Sequence, residues 1–270
     1  MKADHRAVLL RRKRFSTGLF SVTFEAPDLA QAVAPGQFAM LEVPGQIRPY
    51  LRRAYSIADV ALSRGEVEFL VKTIGPGTRA LEDLSEGAVV RLLGPLGNGF
   101  SWTDLESGRE VAIVAGGIGA APFPFLIRAL GEAKLRVDLF LGGRRASDLS
   151  FRDRLEGAAD SRLILATEDG SLGERGFVTE VFRAAARKRS APYARLFACG
   201  PMAMFSALAP IVAELGIRAE FSTEADMGCG FGVCLGCVIP AKDKPFLVSC
   251  VEGPILPPER IAWEKLRPHP

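Results

Sequence analysis

Four of the five cysteines lie in the last 42 residues, as Cys229-x4-Cys234-x2-Cys237 followed by Cys250 after a further twelve residues. The surrounding stretch from Ala219 is rich in glycine and shows little hydrophobic periodicity, so it cannot bury much of a core and needs a bound metal to hold it. The first three cysteines carry the plant-type spacing of a [2Fe–2S] site, in which four thiolates hold two irons bridged by two sulfides. Gly228, Gly230, Gly232 and Gly236 supply the backbone freedom of a tight loop, and their N–H groups could hydrogen-bond sulfur. A structural zinc ion would use the same four thiolates, Cys229, Cys234, Cys237 and Cys250, although such sites more often pair two short knuckles. A disulfide framework fits poorly, because the cysteine count is odd and the cluster ends a long chain.

The net charge of +3 is too small to imply a nucleic acid or an anionic membrane as partner. The longest uncharged stretch, Val111 to Ile127, falls short of the roughly 20 residues of a membrane span. It also contains glycines and prolines, and it reads as strand, turn and helix. The apolar run Ala7–Leu10 is too short for a signal-peptide core, so the expectation is a soluble, cytoplasmic protein. The two histidines, His5 and His269, sit at the two ends. No side chain is therefore assigned a catalytic role, and redox work requires a cofactor.

The first third reads as strands. Phe20, Val22 and Phe24 alternate with Ser21, Thr23 and Glu25, and Val67, Phe69 and Val71 form a second alternating run, each implying one buried face. Turn signals at Pro35-Gly36, Pro44-Gly45, Gly75-Pro76-Gly77 and Gly94–Gly99 separate the runs and suggest a small antiparallel barrel. From Glu110 the pattern changes. Apolar runs at Glu110–Ala115, Leu135–Leu141, Arg162–Ala166 and Arg195–Ala198 alternate with helical candidates at Pro122–Ala133, Phe177–Lys188 and Pro201–Leu215, the signature of a parallel sheet with crossover helices. The expected fold is α+β and multidomain: an antiparallel Greek-key barrel over 1–102, an α/β nucleotide domain over 103–218 and a cluster-binding segment over 219–270.

Arg53-Ala54-Tyr55-Ser56 places a guanidinium suited to a pyrophosphate and an aromatic ring suited to a flavin on one strand face. Taken alone it fits equally a surface arginine beside a half-buried tyrosine. Gly75-Pro76-Gly77-Thr78 is a glycine turn that opens a helix and presents N–H groups to phosphate, or else a plain turn. Gly116-Gly117-Ile118-Gly119 follows a strand and opens another helix, the place for a dinucleotide phosphate, although Pro122 takes the third glycine's place in the usual fingerprint. Cys199-Gly200-Pro201 ends a further strand, and a lone cysteine there reads by itself as a small buried hydrophobe. Asp138 lies within the second strand of this region rather than at its end, and Arg144 and Arg145 follow it, so a preference for NAD or NADP is not assignable.

The Arg-x-Tyr-Ser and Gly-x-Gly-Thr motifs resemble those of the ferredoxin reductase superfamily. Glu224, the Cys229–Cys237 loop, Cys250-x-x-Gly253-Pro254, Gly94-Pro95-Leu96-Gly97-Asn98-Gly99-Phe100 and Thr167-Glu168-Asp169-Gly170-Ser171 resemble the electron-transfer subunits of dihydroorotate dehydrogenase, from about Arg6 to Pro257. The resemblance implies FAD contacts at Arg53, Ala54, Tyr55 and Ser56, backbone contacts along the flavin from Leu70, Val71 and Lys72, and pyrophosphate contacts at Gly77 and Thr78. It also implies NAD(H) at Gly116, Gly117, Gly119, Cys199 and Gly200, and the four late cysteines as cluster ligands. Several family members carry proline and an aliphatic residue where this chain has Ala54-Tyr55. The implied partner is an FMN-containing catalytic subunit of pyrimidine biosynthesis, joined in a heterotetramer. A flavin subunit of a ferredoxin–NAD(P) reductase or hydrogenase complex, and a zinc-stabilised binding module without redox activity, are the competing readings.

Overall fold

The computed structural model describes residues 2–42, 51–156 and 161–266; the expected Pro44-Gly45 turn and His269 lie outside them. Six strands close an antiparallel barrel: β1 (Ala3–Ser16), β2 (Leu19–Glu25), β3 (Phe38–Leu41), β4 (Arg53–Ala61), β5 (Glu66–Lys72) and β6 (Val89–Leu96), in the order β1-β2-β5-β4-β3-β6. The step from β2 to β5 makes the connectivity a Greek key. Two short helices, α1 (Pro27–Ala32) and α2 (Pro76–Asp83), fill the crossings.

The barrel interior follows from the alternation. Phe20, Val22 and Phe24 of β2 face Val71, Phe69 and Val67 of β5 across the ladder, and all six are essentially inaccessible to solvent. The opposite face of β2 departs from the expected pattern, because Ser21 and Thr23 are buried as well. Leu19 of β2, Ala58 of β4 and Leu70 of β5, on the outside of the barrel, join the core of the second domain, which covers them.

That domain holds β7 (Glu110–Gly116), α3 (Phe123–Glu132), β8 (Arg136–Gly143), β9 (Ser161–Thr167), β10 (Glu174–Arg175), α4 (Val178–Arg187), β11 (Arg195–Cys199), α5 (Met202–Glu214) and β12 (Ala219–Ser222). Its central strand β7 sends Val111, Ile113 and Ala115 to one apolar cluster and Ala112 and Val114 to another, as a parallel strand covered on both faces must.

The chain then forms β13 (Val238–Pro240), β14 (Phe246–Val248), α6 (Ser249–Glu252) and β15 (Ile255–Leu256). The seven-stranded sheet runs β10-β9-β8-β7-β11-β12-β15, parallel except for β15, which pairs antiparallel with β12. The expected break between 218 and 219 therefore cuts ahead of β12, a strand that belongs to the parallel sheet through its ladder with β11. Short hydrophobic strands at a domain edge carry no periodicity long enough to assign them. Among the described residues no helix is long and apolar enough to cross a membrane.

Candidate functional site

The cysteine loop packs on the outer face of the barrel. Cys237 and Cys250 share an apolar cluster with Phe38 and Met40 of β3 and Leu96 of β6, and Ala54 of β4 packs against it. The loop takes left-handed backbone at Gly230 and Gly232, with φ of 82° and 92°. A side chain at Gly230 would meet Met40 Cγ at 2.6 Å, so glycine there lets the loop lie directly on β3.

Within the loop the thiols form two pairs. Cys229 Sγ accepts the N–H groups of Phe231 and Cys234, each at 3.5 Å, and Cys237 Sγ accepts the N–H of Cys250 at 3.4 Å. Burial pushes the Cys229 thiol up, but the N–H groups of Cys234 and Phe231, the Cys234 thiol and the Val233 N–H outweigh it and bring it down to about 6. Burial first, and then the Cys237 thiol, push Cys250 up to about 12. Among the described residues no three Cys, His, Asp or Glu side chains converge as ligands of one ion. A four-thiolate zinc site gathers its ligands around a single point, whereas a [2Fe–2S] rhomb takes two thiolates at each iron. Cys229 lies beside Cys234 and Cys237 beside Cys250, an adjacency that four thiolate ligands of either centre would use.

The Arg53–Ser56 motif opens β4, with Ala54 opposite Met40 and Tyr55 opposite Ala39 on β3. Successive residues point to opposite faces, so Ala54 touches the cysteine segment while Tyr55 packs toward the barrel core against Phe69, edge to face at 6.4 Å. The Tyr55 hydroxyl is buried without a hydrogen-bond partner among the described residues, and burial pushes its pKa up to about 12, against the opposing pull of Arg53. A buried phenol left in that state costs free energy unless a ligand completes it. The Arg53 guanidinium donates to the carbonyls of Leu51 and Arg52 and, among the described residues, pairs with no carboxylate. An orphaned hydroxyl and a cation without an anion on one strand face are what a flavin phosphate and ring would satisfy.

At the start of α2, Thr78 Oγ1 accepts the N–H groups of Ile74 and Gly75 at 2.9 and 3.1 Å and donates to Gly75 O at 3.0 Å. Its hydroxyl is thus spent on closing the turn, and any anion must use the backbone N–H groups of the buried Gly77 and its neighbours. On β5, Leu70 faces the second domain, Val71 the barrel core and Lys72 the solvent, which leaves the strand's backbone edge as the shared feature of the three.

Gly116–Gly119 and Cys199–Gly200, far apart in sequence, meet because β7 and β11 are parallel neighbours with Ala115 opposite Cys199. A Cβ on Gly119 would lie 2.4 Å from Cys199 O, and one on Gly200 would lie 3.1 Å from the Gly116 nitrogen. These glycines permit backbone to touch backbone. Gly117 differs: its φ is 53° and its Cβ direction is open space. The turn after β7 packs against β5, so it sits beside the strand carrying Leu70–Lys72. Cys199 is buried, and its thiol is raised well above the usual range, by burial first and then by the Glu224 carboxylate, which argues against a nucleophilic role.

Residues that sequence reasoning left without a role tie these parts together. Asn98 and Gly97 meet the chain at Gly253–Ile255, where a Cβ on Gly97 would lie 2.5 Å from Pro254 Cδ. Thr223 donates its N–H and hydroxyl to Pro254 O at 2.9 and 2.8 Å. The asparagine between two glycines was the only local signal of such a brace.

Residues 7–100 match the oxidoreductase FAD-binding domain and residues 113–209 the oxidoreductase NAD-binding domain. Residues 224–262 match the iron–sulfur cluster binding domain of dihydroorotate dehydrogenase B. The electron transfer subunit of dihydroorotate dehydrogenase B (NAD(+)) from Desulforamulus reducens is 35% identical over 249 residues, covering 91% of this chain and 93% of the relative. The chain belongs to the dihydroorotate dehydrogenase B electron-transfer subunit family. Another family member, from Bacillus velezensis, is 36% identical over 247 residues, covering 90% of this chain and 93% of its own. The fold of the family is matched by a solved NADH-dependent reduced ferredoxin-NADP oxidoreductase, with a TM-score of 0.82, 25% identity and coverage of 96% of this chain and 91% of that one. The ferredoxin reductase of carbazole 1,9a-dioxygenase superposes with a TM-score of 0.70 at 25% identity, over 82% of this chain and 69% of its own.

Proposed function

We propose that this chain carries electrons between NAD and the FMN-containing catalytic subunit that oxidises dihydroorotate, using FAD and a [2Fe–2S] cluster, in a cytoplasmic heterotetramer. Bound FAD supplies the conversion between two-electron exchange with NADH and the one-electron steps of an iron–sulfur centre. The chain's own task is placement. Arg53, Tyr55 and Ser56, the edge of Leu70–Lys72 and the N–H groups at Gly77 and Thr78 would hold FAD. Gly116–Gly119 and Cys199–Gly200 would receive the dinucleotide, and Cys229, Cys234, Cys237 and Cys250 would hold the cluster.

The observation that carries this reading is the position of Ala54. It packs against the apolar cluster of Cys237 and Cys250, while its chain neighbours Arg53 and Tyr55 belong to the flavin motif. One strand would thus serve both groups, with no intervening layer to lengthen the path between them. The partner's place is suggested by the other side of the loop. Cys234 is exposed, and Phe231, Val233, Leu235 and Val251 around it are large apolar side chains with 46 to 74% of their surface in solvent. Contiguous apolar surface beside a redox ligand suits a permanent subunit contact.

The test is reconstitution with the FMN-containing subunit. The expected result is a brown complex with two irons, two sulfides and one FAD per chain, reducing NAD with dihydroorotate. Phe231→Asp should separate the subunits while FAD stays bound. A colourless protein holding zinc, or a complex that passes electrons only to ferredoxin, would overturn the reading.

A further inference from the structure

Two arginines of the nucleotide domain reach across to two acids of the barrel. Arg128, on α3, donates to Asp59 Oδ1 at 2.6 Å and to Val60 O at 2.8 Å. Arg154, after β8, donates to Glu68 and lies 3.8 Å from Asp59 Oδ2. Asp59 and Glu68 are direct partners on the β4–β5 ladder, just past a bulge after Ile57, so they present a paired anionic site rather than two separate charges. Their side chains are 28% and 17% exposed, and Asp59 is fixed further by the N–H of Val60 at 2.9 Å. The face of Arg128 is also held, because its guanidinium lies 5.1 Å from the ring centre of Phe125, a helix residue that packs into the barrel core.

The elements joined here are the ones on which the two cofactor motifs sit. β4 begins with Arg53–Ser56 and reaches Asp59 three residues later. α3 is the helix opened by the Gly116–Gly119 turn and carries Arg128 in its second turn. Glu68 precedes the Leu70–Lys72 edge on β5. A shift at the clamp therefore moves the nucleotide turn relative to the flavin strands as rigid pieces. Hydride exchange demands reacting atoms ~3–3.5 Å apart, and a misplacement of about 1 Å costs on the order of 100-fold in rate.

We propose that Asp59, clamped by Arg128 and Arg154 and seconded by Glu68, is a positioning residue that sets the nicotinamide-to-flavin distance. The inference rests on the reading that NAD and FAD bind at the motifs above. It assigns the charges a kinetic task that surface ion pairs ordinarily lack.

The experiment is anaerobic stopped-flow reduction of the full-length, FAD- and cluster-loaded protein by NADH, comparing wild type with Asp59→Ala, Asp59→Glu and Arg154→Ala. NADH binding, FAD content and hydrogen exchange across β4 and α3 are measured on the same samples. In Asp59→Ala and Arg154→Ala the reduction rate should fall about 10-fold or more, with a raised isotope effect from NADH deuterated at C4, while the NADH dissociation constant stays within about twofold. Hydrogen exchange should quicken at Val60 and stay slow in the barrel core. Asp59→Glu, which keeps the charge, should recover most of the rate. Rates within twofold of wild type in both alanine variants would overturn the proposal. Parallel loss of FAD, NADH affinity and rate would also overturn it, by showing a purely structural role. Wild-type protein that NADH does not reduce would instead refute the NAD reading on which the proposal stands.

Discussion

The side-chain amide of Asn98 completes a two-bond ladder with the backbone of Ile255, donating to its carbonyl at 2.8 Å and accepting its N–H at 2.9 Å. The Asn98 N–H itself donates to Gly253 O at 2.7 Å. The end of the flavin barrel thus binds the last strand of the cluster segment as a neighbouring strand would. Asn98→Ala leaves a partly buried donor and acceptor unmatched, at about 1–3 kcal/mol in total. The expected outcome is a cluster lost to chelators several-fold faster with FAD content unchanged, read by visible absorption and iron release. Asn98→Asp should be worse, since it removes the donor and sets a negative charge against a carbonyl oxygen.

Among the described residues Arg53 pairs with no carboxylate, and its guanidinium donates only to the carbonyls of Leu51 and Arg52. If it holds the flavin pyrophosphate, Arg53→Ala should lose one or two charge-assisted hydrogen bonds, raising the FAD dissociation constant by about 10- to 100-fold. Arg53→Lys should recover only part, because an ammonium cannot make the two-pronged contact. Flavin titration of the apoprotein measures both. The cluster, held by other residues, should remain.

Much of this architecture is legible locally, and what is not shares one cause. The alternation of Phe20, Val22 and Phe24, the spacing of the cysteines and the strand-turn-helix at Gly116 are short-range patterns, and a few neighbouring residues suffice to read them. The burial of Ser21 and Thr23, the addition of β12 and β15 to the parallel sheet, and the bracing of Pro254 by Gly97 and Thr223 depend on partners distant in sequence. Nothing near Asp59 or Arg128 distinguishes them from ordinary surface charges; only the docking of two domains makes them a pair. The use of the Thr78 hydroxyl is not legible either, since the glycine turn points only to N–H groups for an anion, and the folded backbone alone shows that the hydroxyl closes the turn on Ile74 and Gly75.

Acid should loosen the barrel through Glu66. The Arg11 side chain first, and then Arg64, bond its carboxylate at 2.7 and 3.0 Å and hold its pKa down at about 2, against an ordinary 4.5. A carboxylate whose folded pKa is depressed stabilises the fold above its unfolded value and loses that contribution as pH falls toward the folded one. The contribution is therefore intact above about pH 5 and fades between about 4.5 and 2. Both arginines are largely exposed, so screening limits the effect to about 1–2 kcal/mol. Chemical denaturation across pH should show Glu66→Gln less stable than wild type at neutrality, with the difference closing toward pH 2.

Two glycines of one turn should answer the same substitution in opposite ways. At Gly119 a methyl group would sit 2.4 Å from the carbonyl oxygen of Cys199, a backbone atom that cannot swing aside. Gly119→Ala must push the turn after β7 off the end of β11 at Cys199 and Gly200, and the expected cost is about 1–3 kcal/mol of stability together with weaker NADH binding. At Gly117 the added methyl meets no atom, and the only penalty is the left-handed backbone at φ 53°, about 1–2 kcal/mol. That methyl projects into the open side of the turn, where a dinucleotide phosphate would approach. Gly117→Ala should therefore keep its FAD and cluster and melt only slightly below wild type, yet bind NADH at least about 10-fold more weakly. Melting curves and NADH titrations on the two variants separate a packing glycine from a ligand-facing one, and equal NADH affinity in Gly117→Ala and wild type would remove this turn from the dinucleotide site.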